Sequence, residues 1–190
     1  MSLDRPTFSS RLVIPLSWEP VEGPPSAAAL DALEQQNRGV LEVLLQRIDL
    51  DAAPRAADER IAEALVPIRL KLDLIIEMLS RLSYRDVVLP EPREIEVGLD
   101  QIAWSSPQPL EVGDWLLLRL YFNGAYREPV ALLGRVVDCM PGGRNGGWHI
   151  EAALSKMSEA ISESFARLVF FEHRRRLAQR SARAGLRSGP

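Results

Sequence analysis

The chain has 190 residues, 46% of them hydrophobic, a formal net charge of −3 and one cysteine, Cys139. That supply of apolar side chains excludes global disorder, and the size fits one domain with a helical appendage. The lone cysteine excludes an intrachain disulfide and fits a reducing compartment, no apolar run approaches the roughly 20 residues of a membrane-spanning helix, and the opening MSLDRPTFSS has no apolar signal core, so a cytoplasmic protein is expected.

In chain order, RLVIPLSW (11–18) alternates, with Leu12, Ile14, Leu16 and Trp18 on one face, as in a half-buried strand. EPVEGPPS breaks the chain, and Ser26 is placed to cap the helix that follows. Leu30, Leu33, Leu41, Leu44 and Ile48 give that helix an apolar stripe, weakened near Asn37 and Gly39. DLDAAP (49–54) is a second break, and a further helix runs to about Tyr84.

From Asp86 the period changes to two. REIEVGLDQIAW reads as one or two strands, and DWLLLRLYF puts Leu116, Leu118, Leu120 and Phe122 on one face. NGAY reads as a tight hairpin, EPVALLGRVVDCM as the next strand, PGGRNGG as another turn and WHIEAAL as its partner strand. Short strands joined by turns suggest a small antiparallel barrel. A last helix starts at about Ser158, with Ile161, Phe165, Leu168, Val169 and Leu177 available for packing, and SARAGLRSGP reads as a frayed tail.

The middle helix carries the clearest pattern. Ile61, Leu65, Ile68, Leu72, Ile75, Leu79 and Leu82 are spaced alternately four and three apart. Isoleucine or leucine then falls at heptad position d (61, 68, 75, 82) and leucine at a (65, 72, 79). Leucine at a with isoleucine at d disfavours the parallel dimer and shifts preference to trimers or tetramers. Ile76 at e and Met78 at g widen the apolar face, and Pro67 at c predicts a kink or the start of the ordered seam. A core-facing helix has the same spacing, so packing on the chain's own barrel, with Leu70 and Leu74 helping, is the alternative.

No catalytic signature is present, and neither His149 nor His173 has ligand-spaced cysteine or acidic partners, so no catalytic residue and no metal site is assigned. Trp104, Trp115 and Trp148 fall in or beside strands and read as packing residues. The net negative charge argues against wholesale nucleic-acid binding, but from Arg167 onward seven arginines face one acid, Glu172. Arg174, Arg175, Arg176 and Arg180 are either a solvated face favoured near a helix C-terminus or an anion site.

The order IEVGLDQIAWSSPQPLEVGDWLLLRLYF, ALLGRVVDC, GWHIEAAL, then a helix, resembles the PilZ domain. The run SSPQPLEVGDWLLLRL carries the resemblance most closely, and a heptad-bearing helical insertion after the first strand is similar to the atypical, tetrameric branch of that family. The resemblance implies an α+β fold: a small antiparallel β-barrel with a long inserted heptad helix and a C-terminal helix. The expected layout is a first barrel strand at 9–20, inserted helices at 26–84 with the oligomerisation helix at 54–84, the rest of the barrel at 85–157, a C-terminal helix at 158–181 and a flexible tail at 182–190.

It also implies a non-enzymatic oligomeric adaptor in bacterial cyclic di-GMP signalling, a homotetramer that meets an unidentified signalling protein and needs no cofactor. Typical members bind the messenger through R-x-x-x-R before the first strand and D/N-x-S-x-x-G on the barrel. Here Arg5 and Arg11 are six apart, and the second motif is degenerate at Glu96, Gly98 and Gln101. RLAQR (176–180) and RAGLR (183–187) fit R-x-x-x-R but lie at the other end of the chain. The alternative function is an anion-binding module contacting cyclic di-GMP, nucleic acid or acidic membrane through the arginine-rich helix.

Overall fold

The computed structural model describes residues 9–52, 65–68, 70–72, 74–75, 78–79, 88–123, 126–142 and 147–187. Six strands form a closed antiparallel barrel: β1 (Ser9–Val21), β2 (Pro92–Gly98), β3 (Gln101–Ser106), β4 (Trp115–Leu120), β5 (Val130–Pro141) and β6 (Trp148–Leu154). They pair in the order β1-β2-β3-β6-β5-β4, so each strand has a neighbour on both sides around the barrel. β1 makes the closure by changing partner midway. Its first half pairs with β2 from Ser9 opposite Gly98 to Pro15 opposite Pro92, and its second half pairs with β4 from Leu16 opposite Leu120 to Val21 opposite Trp115.

Alternation decides which side chains fill the barrel. Leu12, Ile14 and Leu16 of β1, Ile95 and Val97 of β2, Ile102 and Trp104 of β3, Leu116, Leu118 and Leu120 of β4, and Ile150 and Ala152 of β6 are all buried. The interior is narrow. A Cβ on Gly134 would meet Leu118 Cδ1 at 3.2 Å and Ala152 Cβ at 3.4 Å, so β5 crosses β4 and β6 only because it has no side chain there. Gly113, in the turn before β4, holds φ at 107°, which explains the glycine in the VGDW run.

Two helices cover one side. The first helix (Ala27–Ala52) is capped as expected, with Ser26 Oγ accepting the Ala29 N–H at 3.2 Å. It buries Val40, Leu41, Leu44, Leu45 and Ile48 against the C-terminal helix (Glu159–Arg187) and β5. The C-terminal helix buries Ile161, Phe165, Leu168 and Val169. Glu34 of the first helix accepts the Ser158 N–H at 2.6 Å, which ties the two helices at one end and holds the Glu34 carboxyl below its usual range.

Asn37, where the stripe looked weak, is buried and joins the first helix to the barrel. Its Nδ2 donates to Ala131 O at 2.8 Å and its Oδ1 accepts the Ala131 N–H at 2.9 Å. β6 pairs with β5 only from Gly134 onward, so residues 130–133 have an edge that β6 does not reach. The Asn37 amide serves that edge at Ala131, and the Ser155 N–H serves it at Leu133 O, 2.7 Å away.

Four expectations change. NGAY is not a tight hairpin: β4 ends at Leu120 and β5 begins at Val130, so the connection spans 121–129, with 124–125 outside the described residues. Tyr121 and Phe122 leave the ladder to be buried, and Phe122 meets the Phe165 ring edge-on at 6.2 Å. The expected flexible tail from 182 is helical as far as Arg187, since alanine, leucine and arginine sustain a helix past Gly185. Leu177, expected to pack, is 48% exposed. Finally, β1 runs one residue past 20, to Val21.

Candidate functional site

The sequence offers three candidate surfaces: the barrel face carrying the degenerate messenger motif, the heptad helix and the arginine cluster. On the barrel, odd positions of β1 and β3 and the even positions 92, 94 and 96 of β2 point outward. They place Arg11, Glu94, Glu96, Ala103 and Ser105 around one open groove of about 360 Å³, which His149 and Gly142 also line. Glu96 faces outward here, Gly98 is the buried last residue of β2, and Gln101 is the exposed first residue of β3. The motif positions are thus on adjoining strands.

Arg11 has an intramolecular partner that sequence reasoning missed. Its Nε donates to Glu96 Oε1 at 2.9 Å, a second guanidinium nitrogen contacts the same oxygen, and Glu94 Oε1 lies 3.5 Å away. The hydrogen bond to Glu96, with that residue's charge, raises the Arg11 pKa. A phosphate reaching this arginine would have to displace one carboxylate and pass beside another. The groove therefore sets two carboxylates beside its arginine. The signal was in the sequence, as Glu at both outward positions of REIEV, but the register linking Arg11 to Glu96 is set by strands 85 residues apart.

A second arrangement faces inward. Trp18 and Trp104 meet in a tilted contact, with centroids 5.4 Å apart and ring planes at 49°, and the Arg93 guanidinium lies 4.7 Å from the Trp18 ring centroid. Arg93 also donates to Ser105 O at 3.0 Å, and burial lowers its pKa. Trp18 and Trp104 are packing residues, as expected for the latter, and the arginine lies over the Trp18 ring.

Helix is present at residues 65–68, 70–72, 74–75 and 78–79, and Pro67 lies inside it. Leu65, Ile68, Leu72, Ile75 and Leu79 of the proposed seam are each 50–57% exposed. That is what the turns of a helix standing by itself leave uncovered, so the chain's own sheet does not bury these five side chains. Leu70 and Leu74, off the seam, are no less exposed. Ile61 and Leu82 lie outside the described residues, as does Ile76.

The arginine cluster is partly engaged. Arg176 donates to Val13 O of β1, Arg175 lies 3.0 Å from Glu172 Oε2, and Arg174 stands 5.8 Å from the Phe170 ring centroid. The helix backbone continues through 180, but the Arg180 side chain lies outside the described residues. Glu172 is 5% exposed, beside Leu44, Ile48, Phe122 and Leu168. Burial raises its pKa, and Arg175 and Arg176 oppose that rise without cancelling it.

A carboxyl whose folded-state pKa is raised penalises the fold once pH exceeds the unfolded-state value. Glu172→Gln is accordingly expected to raise the melting temperature at neutral pH, with the gain shrinking as pH falls from the raised folded-state value towards the ordinary carboxylate value, where it is lost. Thermal melts of both proteins across pH check this; a gain independent of pH would assign the effect to packing.

The described residues hold no group of three or more His, Cys, Asp or Glu side chains able to bind a metal ion, and no helix among them is long and apolar enough to cross a membrane. Taken together, fold and surfaces define a closed six-stranded barrel with a helical insertion after its first strand and a helical cover. No family model and no curated protein matches the sequence. Among solved structures, a tetrameric PilZ domain protein from Xanthomonas campestris, self-assembled via an unusual helical bundle, matches over 90% of this chain and 91% of its own, with a TM-score of 0.67 at 20% identity. The Bacillus subtilis inhibitor of motility MotI/DgrA aligns over 46% of this chain and 42% of its own, with a TM-score of 0.35 at 13% identity. The chain thus has a PilZ-like barrel fold.

Proposed function

We propose that this protein is a non-enzymatic, cytoplasmic PilZ-like adaptor that self-associates as a tetramer through its heptad helix and presents its barrels to a signalling protein. The observation that carries this reading is the heptad segment itself: five aliphatic seam residues are left half-exposed by the chain's own barrel. Supporting it is a fold shared over 90% of the chain with a protein that assembles via a helical bundle. Covering the seam with copies of itself removes an apolar surface that a solitary molecule would leave in water.

In this reading the outer barrel face does not take cyclic di-GMP in the manner of typical PilZ domains. The Arg11 guanidinium is already paired with Glu96, and Glu94 adds a second carboxylate. Light scattering on the gel-filtered protein is expected to give four times the 21.2 kDa chain mass, and a monomer would overturn the assembly. Isothermal titration with cyclic di-GMP is expected to show no binding heat. Tight stoichiometric binding would overturn the electrostatic argument while leaving the assembly intact.

A further inference from the structure

The C-terminal helix is buried along one side, where Ile161, Phe165, Leu168, Val169 and Glu172 face the first helix and the barrel. The opposite side of such a helix is ordinarily polar. Here it carries Phe170, 49% exposed, and Leu177, 48% exposed, seven residues and two turns apart on one line. Arginine flanks the ridge: Arg174 stands beside the Phe170 ring, and Arg167 lies one turn before it. Val13 of β1, 36% exposed, adds apolar surface next to this helix, its carbonyl accepting from Arg176.

Charge completes the pattern. Residues 167–190 carry seven arginines and one acid, a formal +6, which leaves −9 on the rest of the chain for the total of −3. The one acid, Glu172, is on the buried side. Formal positive charge is therefore concentrated in the stretch of sequence that also carries the Phe170–Leu177 ridge.

We infer that this helix docks the protein on an anionic lipid surface, with Phe170 and Leu177 entering the headgroup boundary and the flanking arginines reaching lipid phosphates. An amphipathic helix of this kind needs apolar residues outward and long cationic stems beside them, which snorkel to the interface. A second copy of the same helix is a poor occupant, because it would bring arginine against arginine. Nucleic acid would use the arginines but leaves Phe170 and Leu177 without a role.

The test is co-sedimentation of the full chain with vesicles of phosphatidylcholine alone and of phosphatidylcholine mixed with phosphatidylglycerol, across a salt series. Binding is expected only to the anionic vesicles, and it weakens as salt rises. The Phe170→Ser/Leu177→Ser double variant is expected to lower the bound fraction about tenfold or more, with an unchanged circular-dichroism melt, since both side chains are outside the core. Absence of binding to anionic vesicles overturns the inference. So does a double variant that binds like the wild type, and so does a preference for duplex DNA that the double variant retains.

Discussion

Asn37→Ala is expected to destabilise the fold by about 2–5 kcal/mol. The substitution removes two hydrogen bonds at once and leaves the Ala131 N–H and C=O buried without partners, because β6 does not extend to that part of β5. Water has little access, since Ala131 is 3% exposed. The loss also frees the first helix from its polar attachment to the barrel, leaving apolar packing and the Glu34 contact at Ser158 to hold it. Urea unfolding followed by circular dichroism measures the effect. Arg38→Ala, on the exposed side of the same turn, is the control and is expected to stay within about 0.5 kcal/mol of wild type. A loss below about 1 kcal/mol for the Asn37 variant would mean that solvent or a shifted helix satisfies the strand edge.

Leu72→Asp has the larger effect on assembly. Leu72 is at the centre of the proposed seam, at an a position between Ile68 and Ile75. In a tetramer the substitution sets four carboxylates against one another inside an apolar layer. An uncompensated buried charge costs about 3–5 kcal/mol, so the assembly is expected to fall to single chains of 21.2 kDa. Leu70→Asp and Leu74→Asp supply the contrast. Both side chains are as exposed as Leu72 in the single chain, but they fall at heptad positions f and c. The assembly is expected to tolerate them. Equal disruption by all three would show that the helix is buried on more than one face, and the heptad assignment would fail.

Much of the barrel was legible because burial on one side of a strand writes itself into alternate residues. Leu12, Ile14 and Leu16 announce β1, and Leu116, Leu118 and Leu120 announce β4. Ser26 announced a helix start for a local reason, since its cap bonds an N–H only three residues further on. What was illegible depends on residues brought together from far apart. Asn37 and Ala131 are 94 positions apart, and a polar residue in an apolar stripe reads as a defect until its partner strand is known. Arg11 likewise read as half of a failed arginine motif, when its surroundings are set by the register with β2. The NGAY stretch misled because turn chemistry reports that the chain bends, whereas the burial of Tyr121 and Phe122 decides where the ladder ends.

The shared strand β1 has a kinetic consequence. Its first half can pair with β2 only after the chain has returned across the long stretch between Val21 and Pro92. Sealing the barrel is therefore a late, high-contact-order event, slow beside the forming of helices. Should these stretches of neighbouring molecules meet first, each unsealed barrel has another molecule's β1 within reach, and strand exchange competes with self-closure. Dilution during refolding then favours barrels closed by their own first strand.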